Sequence, residues 1–140
     1  MIHRSSRRVR YIVLMFAAIG VIVVAAACGG GGSGNSDSNS GQTVQVSEAE
    51  WSITVAGTQM TKGNGNASVP TGTVTFNIKN DGTVDHQFEI QGNGIDKKTD
   101  NIAPGKTGKL TVDLKAGKYE VFCPIPGHKE AGMDGFVTAS

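Results

Sequence analysis

Residues 42–140 of this 140-residue chain predict an all-β fold, a Greek-key sandwich of about seven or eight short strands. Three observations carry the prediction. From Gln42 onward apolar residues recur with a period of two, as they do on a half-buried strand. Clusters of turn-forming residues separate the alternating runs. No ten-residue window shows a three-to-four period, and nothing resembles a Rossmann unit or a P-loop.

The runs follow in order. Thr43-Val44-Gln45-Val46 alternates, and so does Trp51-Ser52-Ile53-Thr54-Val55. Thr73 to Ile78 places Val74, Phe76 and Ile78 on one face, and His86 to Ile90 does the same with Phe88 and Ile90. Leu110 to Leu114, Tyr119 to Cys123 and Phe136-Val137-Thr138 complete the set. Pro70-Thr71-Gly72, Asn80-Asp81-Gly82, Pro104-Gly105 and Ala116-Gly117 lie between them and read as turns. Strands with this spacing and this punctuation pack as an antiparallel sandwich. Residues 59–68 and the charged stretch around Asp96, Lys97, Lys98 and Asp100 read as solvated loops. The sequon Asn66-Ala67-Ser68 falls in the first of these.

The residues before Gln42 read as address and tether. Arg4, Arg7, Arg8 and Arg10 precede an uncharged apolar run over residues 11–27, which ends Ala25-Ala26-Ala27 before Cys28. That is the layout of a secretory signal over residues 1–27. A retained transmembrane helix is the competing reading, the run being slightly short of the roughly 20 residues a span needs. The ending resembles a bacterial lipobox, which implies that Cys28 carries a lipid and becomes the mature N-terminus. Ser6-Arg7-Arg8 resembles the start of a twin-arginine signal, so the export route stays open between that pathway and the general secretory one. Residues 29–41 hold no apolar side chain and read as a flexible linker with an r.m.s. reach of roughly 20 Å. The expected location is the outer face of the cytoplasmic membrane.

Charge and length exclude other classes. All four arginines lie in the first ten residues, so the rest of the chain carries nine Lys against 12 Asp+Glu, a net of −3. No basic face is left for nucleic acid. A domain of residues 42–140 is one small unit, too short for a multi-domain enzyme, and is expected to be monomeric.

Few residues in the domain carry reactive chemistry. Cys123 is its only thiol, His86 and His128 its only imidazoles, and Met60 and Met133 its only thioethers. Taken singly, each has an ordinary reading: Cys123 as an inert core thiol, His128 as a loop residue, Met133 as a core plug, His86 as a strand-edge residue. Together they form a pattern. Four residues separate Cys123 from His128 and four more separate His128 from Met133, in a Pro/Gly-rich loop at a strand end. His86 follows the Asn80-Asp81-Gly82 turn, and a sandwich gathers such strand ends at one pole. Two imidazoles, a thiolate and a weak axial thioether make up the donor set of a blue-copper site. Structural zinc sites use more cysteine and no methionine. Met60 is a competing sulfur donor, placed by this reading in a solvated loop.

The same residues resemble a family. Val69-Pro70-Thr71-Gly72-Thr73-Val74-Thr75-Phe76, Asn80-Asp81-Gly82 leading to His86, Ala103-Pro104-Gly105-Lys106-Thr107, Gly117-Lys118-Tyr119 and the loop ending Gly132-Met133-Asp134-Gly135 are similar to the cupredoxins, the group of plastocyanin and azurin. The loop spacing is similar to that of auracyanins and sulfocyanins. The resemblance implies one type 1 copper ion with His86, Cys123 and His128 equatorial and Met133 axial. It also implies an uncharged patch of Pro124, Ile125, Pro126 and Gly127 around an exposed His128, where a partner docks and the electron crosses. Gln87 departs from the family's pattern, standing where plastocyanin and azurin have an asparagine that braces the loop. Phe122 stands where plastocyanin has a tyrosine.

The expected function is a membrane-tethered electron carrier cycling Cu(I)/Cu(II), with redox-partner proteins of the envelope or respiratory chain. The alternative is a copper chaperone or scavenger of the cell envelope. An oxidase or nitrite reductase needs a further histidine-rich copper site, which two histidines do not build.

Overall fold

The alternation becomes two buried sheet faces. The structure, a computed structural model, describes residues 41–140. The expected signal over residues 1–27, Cys28 and the expected linker through Ser40 lie outside the described residues. Ten strands and one helical turn follow in order: β1 Gln42–Ala49, β2 Ser52–Val55, β3 Thr58–Met60, β4 Asn66–Val69, β5 Gly72–Asn80, β6 Glu89–Gly92, β7 Ile95–Lys98, β8 Thr107–Leu114, β9 Gly117–Phe122, α1 His128–Ala131 and β10 Asp134–Ala139. One sheet runs β3-β2-β1-β5-β8 and the other β4-β10-β9-β6-β7.

The predicted inward residues fill the space between the sheets. Val74, Phe76 and Ile78 are fully buried, as are Ile53, Val55, Phe88, Ile90 and Val121. Phe76 and Phe88 meet at 5.2 Å between ring centroids. The Tyr119 hydroxyl donates to the Lys115 carbonyl (2.9 Å) and accepts the Lys115 amide N–H (3.1 Å), which fixes the β8–β9 turn while the ring stays in the core.

The sandwich is as predicted, but four details differ. There are ten strands, because β3, β4 and β7 form where the sequence reads as loop. β3 and β4 are edge strands of three and four residues, too short for alternation to show; β3 turns back on β2, whereas β4 pairs with β10, distant in sequence. The sequon Asn66-Ala67-Ser68 therefore lies in β4. β7 carries Lys97 and Lys98 on a sheet edge, with one half-buried and three exposed side chains. The pairing is mixed rather than antiparallel throughout: β1 runs parallel to β5, and β4 parallel to β10. Met60 is fully buried in the core rather than solvated. His86 forms an isolated bridge to Ile102, and the strand expected from it begins at Glu89.

One buried residue defies the pattern. Glu48 lies on the inward face of β1, fully buried, and neither carboxyl oxygen has a hydrogen-bond partner. Desolvation by burial raises its pKa from 4.5 to about 8. Between pH 4.5 and 8 the folded chain therefore keeps a proton on Glu48 that the unfolded chain has already released. Stability associated with this group is fully present below pH 4.5 and is lost as pH rises through that window, by about 5 kcal/mol at most. Glu48→Gln should remove this component. Urea denaturation of the metal-free chain at several pH values checks it: the difference in stability between the two proteins should shift in favour of the variant from pH 4.5 to 8. Parallel pH profiles would mean that Glu48 finds a partner when buried.

Candidate metal centre

The site grows from the end of one strand ladder. β9 and β10 pair antiparallel with Phe122 opposite Asp134, so Cys123 and Met133 stand opposite each other where the ladder stops. The Cys123 amide donates to the Met133 carbonyl at 3.0 Å. The loop between them folds back on itself, and the Met133 amide donates to the His128 carbonyl, also at 3.0 Å. Gly127 enters the helical turn α1 with φ 84°, a left-handed conformation that glycine adopts without strain. The even spacing of Cys123, His128 and Met133 thus puts both sulfur residues at the base of a hairpin and the imidazole at its bend.

His86 comes from the facing loop. Its amide donates to the Ile102 carbonyl (3.1 Å) and its carbonyl accepts from the Ile102 amide (2.8 Å). Buried Asn80 pins the preceding turn: Nδ2 donates to the Val84 and Ile102 carbonyls, both at 2.7 Å, and Oδ1 accepts from the Gly82 amide at 2.8 Å. Glu50, in the β1–β2 turn, accepts at Oε1 from the Thr83 amide (2.6 Å), the Val84 amide (3.1 Å) and the Thr83 hydroxyl (3.1 Å). These bonds, led by the Thr83 amide, lower its pKa to about 2.

The donor atoms converge. His86 Nδ1 lies 3.2 Å from His128 Nδ1, and His128 Nδ1 lies 3.5 Å from Cys123 Sγ. One donor atom from each of the three residues lies within 4.8 Å of the others. The Gln87 amide N–H reaches Sγ at 3.4 Å. His86 and Cys123 are fully buried, and His128 is half-buried rather than exposed as the sequence suggests. Burial lowers the His86 pKa, with the neighbouring His128 adding to the effect, and burial raises that of the Cys123 thiol.

The residues fit a metal ion of that donor set. With bonds of about 2.0 Å to nitrogen and about 2.3 Å to sulfur, the observed separations correspond to angles of roughly 105° (N–M–N) and roughly 110° (N–M–S). Those are angles of a trigonal or tetrahedral site and not of a square-planar one. Soft sulfur beside two imidazoles suits copper in both its common oxidation states.

The structure brings His86, Cys123 and His128 together and buries Met133 at the end of the same loop. In the predicted docking patch, Pro124 and Ile125 are half-buried and Pro126 and Gly127 exposed. Phe122 is buried, with Lys129 Nζ 4.0 Å above its ring, and so offers no bare flank. Met60 belongs to the core. At Gln87 it is the backbone N–H and not the side chain that reaches the sulfur.

Sequence reading missed three neighbours of the site. Trp51 sets its ring edge-on to His128, 5.3 Å between centroids, and is 46% exposed. Its being the only tryptophan in the chain was the available signal. Glu50 acts through contacts across the fold that no local pattern announces; at Asn80 the sequence shows the turn but not that the side chain turns inward to pin the His86 loop.

Comparison with known proteins agrees with this geometry. The family model for the cupredoxin-like domain matches residues 18–139. The chain belongs to the cupredoxin-like family. Its fold is similar to that of auracyanin from Roseiflexus castenholzii, with a TM-score of 0.56 and 21% identity over 71% of this chain and 97% of that one. It is also similar to rusticyanin from Thiobacillus ferrooxidans, with a TM-score of 0.54 and 25% identity over 71% of this chain and 79% of that one. Among curated proteins it is similar to the copper-resistant cuproprotein CopI of Vibrio cholerae, at 32% identity over 46% of this chain. The chain spans about half the length of that relative, 48%. Among the described residues no helix is long and apolar enough to cross a membrane.

Proposed function

We propose that this cupredoxin is a single-copper electron carrier of the cell envelope, exported and held at the membrane by a lipid on Cys28. The observation that carries the reading is the convergence of His86 Nδ1, His128 Nδ1 and Cys123 Sγ at one pole of a rigid sandwich. In it, His86, Cys123, His128 and Met133 would hold the copper. Bound there, copper would supply a one-electron Cu(I)/Cu(II) couple, and no substrate is chemically altered. The protein's part is to hold the donors still. Asn80 pins the His86 loop, the Cys123–Met133 backbone pair closes the other side, and the Gln87 N–H stabilises sulfur that carries negative charge.

Redox partners meet the pole at His128. Pro124, Ile125, Pro126 and Gly127 are uncharged, and exposed Trp51 widens the patch they form. Such a surface suits a small, transient interface. A second reading, copper sequestration or delivery, is favoured by the description of the Vibrio cholerae relative as copper-resistant. The two differ in reversibility. A carrier shows an intense blue Cu(II) colour that bleaches and returns over many redox cycles, whereas a delivery protein holds Cu(I) and stays colourless.

Three outcomes follow from the carrier reading. Cys123→Ser should abolish the intense visible band of the Cu(II)-loaded chain, since that band is thiolate-to-copper charge transfer; optical titration with Cu(II) is the measurement, and a retained band would remove Cys123 from the site. Pro126→Glu should slow electron exchange with a fixed partner about tenfold, or about 1.4 kcal/mol in docking free energy, while leaving the copper spectrum unaltered. Pro126 is the cleaner position because Ile125 also packs on the core. Stopped-flow rates equal to wild type at low and high salt would move the docking surface elsewhere. Finally, Cys28→Ala should leave copper binding intact yet release the chain from the membrane fraction or block its processing. Retention at mature size would mean another anchor.

A further inference from the structure

The two Nδ1 atoms that face each other leave a question of proton placement. At 3.2 Å, His86 and His128 share a hydrogen bond that works equally well with either ring as donor. Only one arrangement leaves His86 with a bare Nδ1, and it requires the proton of that ring to sit on Nε2. His86 Nε2 is buried and has no hydrogen-bond partner. The carboxylate nearest to it is that of Glu50, whose Oε1 lies 3.8 Å away, just beyond hydrogen-bond reach.

Gly82 shows that this approach is built in. A Cβ at position 82 would lie 2.8 Å from His86 Nε2 and 2.7 and 2.9 Å from the two Glu50 oxygens. The imidazole and the carboxylate therefore press on the same side of one backbone unit, and any side chain there would push both away. Three donors from Thr83 and Val84 hold Oε1 in place, so the negative charge is fixed and does not wander with solvent. Asp85 is the other acidic group acting on this ring, and its influence is weaker than that of Glu50.

We propose that Glu50 is a positioning residue for the site: its carboxylate keeps the His86 proton on Nε2, leaving Nδ1 with a free lone pair that can bind a metal, and ties the loop that carries His86 to the β1–β2 turn. The consequence at copper rests on the function proposed above, whereas the tautomer is a property of the metal-free chain. Histidine ligands commonly give their second N–H to a carboxylate or carbonyl, and loss of such a partner typically costs 10–100-fold in metal affinity. A fixed anion here also favours the more positive ion, Cu(II), over Cu(I).

The experiment uses the full chain labelled with 15N-histidine, as wild type, Glu50→Gln, Glu50→Ala and Asp85→Asn. Nitrogen shifts of the metal-free proteins, at a pH where the imidazole is neutral, report the tautomer of His86. Competition titrations with Cu(II) and Cu(I) report affinity, and backbone spectra verify folding. Gln keeps an oxygen for the Thr83 and Val84 donors but removes the charge, so it separates the electrostatic role from the loop tie. Wild type should show Nε2–H with bare Nδ1, and Glu50→Ala should lose that preference. Glu50→Gln should weaken Cu(II) binding at least tenfold more than Cu(I) binding, a rise in potential of about 59 mV per tenfold. Asp85→Asn should match wild type. An Nδ1–H tautomer in wild type would overturn the inference. So would an unchanged tautomer in folded Glu50→Ala, an unchanged Cu(II)/Cu(I) affinity ratio in Glu50→Gln, or an equal effect from Asp85→Asn. If wild type bound no copper while Glu50→Ala still lost the Nε2–H preference, the copper reading would fall and the role of Glu50 would stand.

Discussion

Two imidazole nitrogens held 3.2 Å apart, with a thiol 3.5 Å from one of them, are the constraint around which this pole of the molecule is arranged. Nothing local in the chain favours that meeting, since His86 and Cys123 are distant in sequence and burial opposes charge on both. The sheets supply the distance. β9 and β10 bring one end of the loop to a fixed register, and the Ile102 bridge fixes the other partner. The donors are placed by backbone pairing before any metal is considered, which is how a protein keeps a site from rearranging when its charge changes.

The central strands were legible because each buries one face. Val74, Phe76 and Ile78 alternate cleanly, and so do Tyr119 and Val121 of β9 until the buried Phe122 breaks the pattern at the strand end. The edge strands were not legible, for a physical reason. An edge of three or four residues has too few inward positions to set a period, and β7 turns one half-buried and three exposed side chains to its surroundings. Met60 was misread for the same cause: as the last residue of β3, its burial is decided by partners far along the chain. The metal-site residues were legible because they are scarce and evenly spaced. Glu50 was not, and of Asn80 only its turn was, because Glu50's bonds and Asn80's bond to Ile102 reach segments that the sequence does not place beside them.

Glu48 and Glu50 show how little residue type alone decides. They stand two positions apart at the end of one strand. One is buried without a partner and keeps its proton to about pH 8; the other, at the rim, collects three donors at one oxygen and ionises near pH 2. Desolvation governs the first and hydrogen bonding the second. The result is a neutral core and a negative rim beside the buried imidazole.

The lysines of β7 carry a consequence for molecules in a crowd. β7 is the last strand of its sheet, and an unpaired strand edge invites the same edge of another copy. Here Asp96, Lys97 and Lys98 are all exposed and charged, so pairing with a second copy would take three charged side chains per edge out of free water. Close packing of many copies therefore meets a hydrated, charged seam where a continuous sheet would otherwise begin.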